Sequence, residues 1–125
     1  MCLIKVYEVY KEPLTEIKTG YKFFIRDKYG VLRFWYTDAY GIPKIHGWNE
    51  DFNTFKLKNA CDVYPTGYHI FNKLDAISNE YRHETYKVEY TDIIVDGMNI
   101  GIGKQKQYEA YRCFVAKKFR ILGKV

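Results

Sequence analysis

Pro65-Thr66-Gly67-Tyr68-His69-Ile70-Phe71 is the stretch on which the reading of this chain turns. Proline and glycine two residues apart set a turn, and Tyr-His-Ile-Phe behind them is a short run of strand-forming residues. Past Phe71, Asn72 has the side chain of a helix cap, and Asp75 falls where a negative charge favours a helix N-terminus. Leu74, Ile77 and Tyr81 then share one stripe with Ala76 beside it, while Asp75, Ser78, Asn79 and Glu80 are polar. That spacing predicts an amphipathic helix from Lys73 to Arg82.

Upstream, the chain reads as strands. Leu3 to Tyr10 is β-rich and breaks at Pro13. Gly20–Lys28 and Val31–Thr37 form a predicted hairpin around Lys28-Tyr29-Gly30, where glycine supplies a positive φ. In its first strand Tyr21, Phe23 and Ile25 alternate with Lys22, Phe24 and Arg26, so one of the two faces is core. Residues 38–48, with Gly41, Pro43 and Gly47, read as a long loop, and Asn49 to Lys58 fits a helical turn or a strand equally.

Downstream, Thr85 to Val95 is a long β-type run that Asp96-Gly97 is expected to end. Gly97 to Gly103 reads as a flexible loop leading into Tyr108–Ala116 and a last strand, Lys117–Leu122. The fold class that follows is α+β: a mainly antiparallel sheet, one clear amphipathic helix and room for a second short one. With 125 residues, one domain spanning 1–125 is expected to bury its own core.

Apolar residues at 47% and charged residues at 28% place the chain among folded proteins rather than disordered ones. Aromatic residues reach 18%, with thirteen tyrosines, which suits both sheet surfaces and interface hot spots. The formal charge of +5 is concentrated at the end: Lys104, Lys106, Arg112, Lys117, Lys118, Arg120 and Lys124 stand against Glu109 alone. Such a face suits nucleic acid, a nucleotide or an acidic protein, or is simply solvated. Cys2, Cys61 and Cys113 are an odd set without close pairing, which favours a reducing cytoplasm over a disulfide framework. No apolar run approaches the ~18 residues of a membrane span, and no basic stretch precedes an apolar one at the start, so no membrane partner is expected.

No motif dictates a reaction. Gly101-Ile102-Gly103-Lys104 has neither the spacing of a P-loop nor that of a dinucleotide fingerprint. The cysteines together with His46, His69 and His83 lack paired ligand spacing, so neither a metal site nor a cofactor is expected and no catalytic residue is assigned. His69, fixed between the turn and Phe71, has two readings. It makes a structural bond to a backbone group, or it faces a ligand pocket with Tyr68, Arg26, Arg33 and Trp35, where arginine and aromatic side by side stack a base. Tyr40, Trp48, Lys104, Lys106, Lys117, Lys118 and Arg120 form the candidate interaction surface.

The turn at 65–71, Leu74-Asp75-Ala76, the strand Tyr86-Lys87-Val88-Glu89-Tyr90 with Ile93-Ile94-Val95-Asp96-Gly97, and Cys113-Phe114-Val115-Ala116-Lys117-Lys118-Phe119-Arg120-Ile121-Leu122 resemble a group of small phage and prophage proteins. The group shows a Gly-aromatic-His-hydrophobic-Phe turn, a Leu-x-x-Ala helix, a strand ending in glycine and a closing Val-Ala-basic strand. The resemblance covers residues 64–122 and carries no catalytic residue over. It implies a phage-encoded protein of the host cytoplasm that binds and inhibits or sequesters a host protein or ribonucleoprotein, of the anti-defence, anti-CRISPR-like kind. Two alternatives stay open: a nucleotide-binding or nucleotide-handling protein with a pocket near His69, and a nucleic-acid binder using the basic C-terminal strand. A sheet of this size also has edges to cover, which a homodimer would do.

Overall fold

In a computed structural model the described residues are 3–34, 41–54, 56–58, 63–74, 83–102 and 108–125. Among them the strands are β1 (Lys5–Leu14), β2 (Lys18–Arg26), β3 (Leu32–Phe34), β4 (Asn49–Glu50), β5 (Lys56–Lys58), β6 (Val63–Pro65), β7 (Tyr68–Phe71), β8 (His83–Ile102) and β9 (Tyr108–Lys124). All pairings are antiparallel.

The α+β expectation is therefore corrected to a mainly antiparallel β fold, with no helix among the described residues. Beyond Leu74, the segment predicted to be helical lies outside those residues. What the sequence reading underweighted is the last third of the chain. There β8 and β9 form one hairpin whose register runs from Tyr86↔Lys124 to Ile102↔Tyr108.

Asp96-Gly97 does not end β8, and the loop expected from Gly97 lies within strand as far as Ile102. The glycine has a different cause. A Cβ at Gly97 would stand 2.5 Å from the Lys5 carbonyl oxygen and 2.8 Å from Leu3 Cδ1, so it is the place where the start of the chain crosses β8 closely. Within 49–58 the described residues include β4 and β5 and no helical turn, and β1 runs past Pro13 to Leu14 with irregular register, which an edge strand tolerates. The β2–β3 hairpin has the expected turn: the Asp27 carboxylate accepts the N–H groups of Tyr29 and Val31, and Gly30 adopts φ 81°.

The pairings close on themselves. β8 pairs with β2, β2 touches β7 at Tyr21↔Phe71, β7 pairs with β9, and β9 returns to β8. Gly20 lets this circuit shut, because a Cβ there would lie 2.7 Å from the Phe71 carbonyl oxygen and 2.8 Å from Ile70 Cγ2.

Strand alternation then builds two apolar layers. One holds Phe24, Tyr68, Ile70, Val88, Tyr90, Ile93 and Phe119; the other holds Leu3, Tyr64, Phe71, Val95, Cys113 and Val115. A β-bulge transfers β8 between them. Ile93 pairs with Ala116 and Val95 with Val115, leaving Ile94 as the extra residue, and the neighbouring Asp92 takes φ 54°. Ile93 thus enters the first layer and Val95 the second, although simple alternation would put both on one face.

Candidate functional site

Trp48 sits at the end of the loop before β4, and β9 brings two of the predicted surface residues to it. Lys118 Nζ lies 5.5 Å and Arg120 Cζ 5.1 Å from the ring centre, within cation–π range. Both cations also hold carboxylates, Lys118 with Glu50 at 3.3 Å and Arg120 with Glu89 at 2.6 Å.

The loop behind the indole is braced. The buried Asn49 amide accepts the Lys44 N–H at 2.7 Å and donates back to the Lys44 carbonyl at 3.1 Å. The Asp51 N–H donates to the Lys117 carbonyl at 2.9 Å, and the Asp51 carboxylate accepts the Asn53 N–H at 2.9 Å. Lys117 Nζ donates to the Asn53 carbonyl at 2.7 Å. On this fixed segment Ile42, Ile45 and Phe52 are exposed, Phe52 to 82%. An apolar side chain left in water on a rigid support has little conformational freedom to lose on contact.

The basic end of the chain is less bare than its composition implied. Arg112 pairs with Asp96, Lys117 lies 3.8 Å from Asp51, and Lys124 lies 3.4 Å from Glu84. Together with the Lys118 and Arg120 pairs, this interleaves the cations with carboxylates from β4, β8 and the adjoining loop. Lys104, Lys106 and Tyr40 lie outside the described residues.

The residues proposed for a ligand pocket point to different places. Arg26 is bound to Glu84 through two nitrogens and donates to the Gly30 carbonyl at 2.8 Å. The Arg26–Glu84 bonds raise the Arg26 pKa and hold the Glu84 carboxyl down at about 2. Arg33 pairs with Asp27 at 2.7 Å. Tyr68 belongs to the first apolar layer, stacked on Phe34 at 5.7 Å. His69, its neighbour on β7, turns to the opposite side and meets the Tyr64 hydroxyl at 3.0 Å. Burial pushes its pKa down to about 3, with the Lys22 charge adding to the effect, so the ring is neutral at pH 7. Trp35 lies outside the described residues.

A second site escaped the sequence reading. Gly20, Lys22 and Phe24 share the face of β2 that looks into the first layer. The half-buried Lys22 carries its ammonium to 5.9 Å from the ring centres of Phe24, Phe34 and Phe119 and 6.0 Å from that of Tyr68. It donates to the His69 carbonyl at 3.0 Å. Desolvation lowers its pKa to about 8. The signal was the alternation itself, since a lysine two residues before a core phenylalanine on a strand occupies the same face.

Among the described residues, no group of three or more His, Cys, Asp or Glu side chains stands close enough to hold a metal ion, and no helix is long and apolar enough to cross a membrane. Cys113 is buried and free, its thiol pushed up to about 12 by burial, which keeps it protonated at pH 7. No family model, curated protein or solved structure matches the chain.

Proposed function

We propose that this chain is a binding protein that occupies a host factor, as its resemblance to small phage proteins implies, and that its contact face centres on Trp48, Lys118 and Arg120. One observation carries the reading: the indole already stands within cation–π range of two cations on a loop braced by Asn49 and Asp51. Tryptophan and arginine are the residues most enriched where interfaces gain their energy. The exposed Ile42, Ile45 and Phe52 on the same segment supply apolar surface. An anti-defence role is the form of this reading that a phage origin favours.

Nucleic-acid binding by the C-terminal strand draws less support, because five of its cations face carboxylates. Phosphate contacts would have to displace those pairs.

The test is affinity capture from host-cell lysate, with and without nuclease, comparing the tagged protein with a Trp48→Ala/Arg120→Ala variant. A stoichiometric protein that survives nuclease and disappears with the variant, while the variant keeps its far-UV spectrum, supports the proposal. A variant that retains every partner overturns the face, and a catch lost to nuclease moves the reading to nucleic acid.

A further inference from the structure

Lys22 poses a chemical question that the binding face does not answer. Its ammonium stands within about 6 Å of the centres of four aromatic rings, with the His69 carbonyl as its hydrogen-bond acceptor. Among the described residues it pairs with no carboxylate. The nearby Glu84 is taken by Arg26 and Lys124. A charge held this way loses its hydration shell, and the ring faces return part of that loss. Methionine would fill the same volume without the desolvation. What lysine adds is a nitrogen lone pair, kept away from bulk water and flanked by apolar surface.

We propose that Lys22 Nζ is a carbonyl-condensing site, taking a small ketone or aldehyde with apolar flanks as an imine beside these aromatic rings. The neutral amine attacks the carbonyl carbon, forming the C–N bond while the C=O π electrons move to oxygen. A proton passes from nitrogen to that oxygen to give the carbinolamine. The nitrogen lone pair then expels the hydroxyl, which leaves as water once protonated, and loss of the remaining N–H proton gives the neutral imine. The balance is amine plus carbonyl to imine plus water, with no electron acceptor or donor required. The ring faces that hold the ammonium also favour the protonated imine, which is a cation in the same place.

The surroundings fit this chemistry. Lys22 has a pKa of about 8, so about a tenth of it is neutral at pH 7, far more than of a lysine in water. His69 on β7 is neutral at that pH, and the Cys113 thiol on β9 is protonated. Tyr68 on β7 and Tyr86, opposite Lys22 on β8, are the phenols beside it. None of these is a negative charge that would hold the amine protonated at neutral pH. Lys22 as a residue is half-buried, so it lies at the margin of the core rather than wholly inside it.

Acetylacetone is the probe. With an amine it gives an imine that rearranges to a conjugated enaminone, read by a new near-ultraviolet band and by a mass gain of one diketone less one water. The folded chain at pH 7.5 is expected to take one label, mapped by peptide mass spectrometry to Lys22. Labelling should be at least about tenfold faster than at any lysine of the same chain in urea, following the larger neutral fraction. Lys22→Arg is expected to abolish the band. Mapping on the unsubstituted protein decides the matter even if the variant fails to fold. Label spread over surface lysines, or a folded protein with Lys22 unlabelled, overturns the proposal.

Discussion

The Tyr64 hydroxyl donates to His69 Nε2 at 3.0 Å while accepting the Leu3 N–H at 2.7 Å. The direction follows from the other ring nitrogen, which donates to the Gly67 carbonyl and so carries the proton of the neutral imidazole. One buried hydroxyl therefore joins the start of the chain, β6 and β7. Tyr64→Phe removes the hydroxyl that the Leu3 N–H and His69 Nε2 share, and should lower stability by about 2–3 kcal/mol. Urea unfolding with an unchanged slope is the measurement, and a loss under half that size would mean that water replaces the hydroxyl.

Acid should find the same histidine. Its folded pKa of about 3 lies below the ordinary 6.5, so between those values the unfolded chain binds the extra proton. The stability contributed by burying it neutral is whole above pH 6.5 and is lost as pH falls toward 3. Stability measured from pH 7 to 5.5, above most of the range in which Glu84 titrates in the unfolded chain, should fall more steeply for the natural protein than for His69→Gln. Parallel curves would place a charged or solvated ring at this position.

Lys22→Met should stabilise the protein at pH 7 by about 1–2 kcal/mol, less than the full pKa displacement implies, because the side chain keeps some water. The lysine is charged in both states below pH 8 and neutral in both above 10.5. The folded lysine protein accordingly gains stability as pH rises between these values, and the advantage of methionine should shrink over the same window. Thermal unfolding at pH 7 and pH 10 separates this outcome from a constant difference.

Glycines on two strands give a paired steric test. Gly20→Ala would drive a Cβ into the Phe71 carbonyl at the contact that closes the sheet, a cost of about 2–3 kcal/mol. Gly123→Ala, with nothing within 4 Å of its Cβ, should be neutral or slightly favourable. Equal denaturation midpoints for the two variants would show that β2 and β7 are not in contact at Gly20.

At the bulge, Asp92 holds a left-handed φ of 54° that glycine adopts without strain. Asp92→Gly is expected to change stability by less than about 0.5 kcal/mol, whereas Asp92→Val should cost about 1–2 kcal/mol. If valine is tolerated as well as glycine, the backbone there is not left-handed in solution.

The sequence made the local hairpin legible and the distant pairings opaque. Lys28-Tyr29-Gly30 carries its own turn chemistry, so β2 and β3 could be placed without any other part of the chain. Gly97 could not be read in that way, because its small size answers to Leu3 and Lys5, more than ninety residues earlier. The surface cluster was half legible: Trp48, Lys118 and Arg120 were singled out by residue type, yet only the pairing of β4 with β9 shows that they meet. Of the five residues read as a ligand pocket, the adjacent strand residues Tyr68 and His69 look in opposite directions, which residue type alone did not reveal, and Trp35 lies outside the described residues. Lys22 went unnoticed because charge usually marks the solvent face, and here the alternation of β2 overrode that habit.

The β8–β9 hairpin forms a wall of both apolar layers, exchanging faces at the Ile94 bulge. Both layers lean on this one hairpin, so neither can loosen along it without disturbing the other. A chain connected like this has no partly melted form in which one layer survives intact. Its long-range strand pairings should make it slow to assemble and abrupt to come apart, the kinetic profile of a protein that, once formed, outlasts brief excursions in its surroundings.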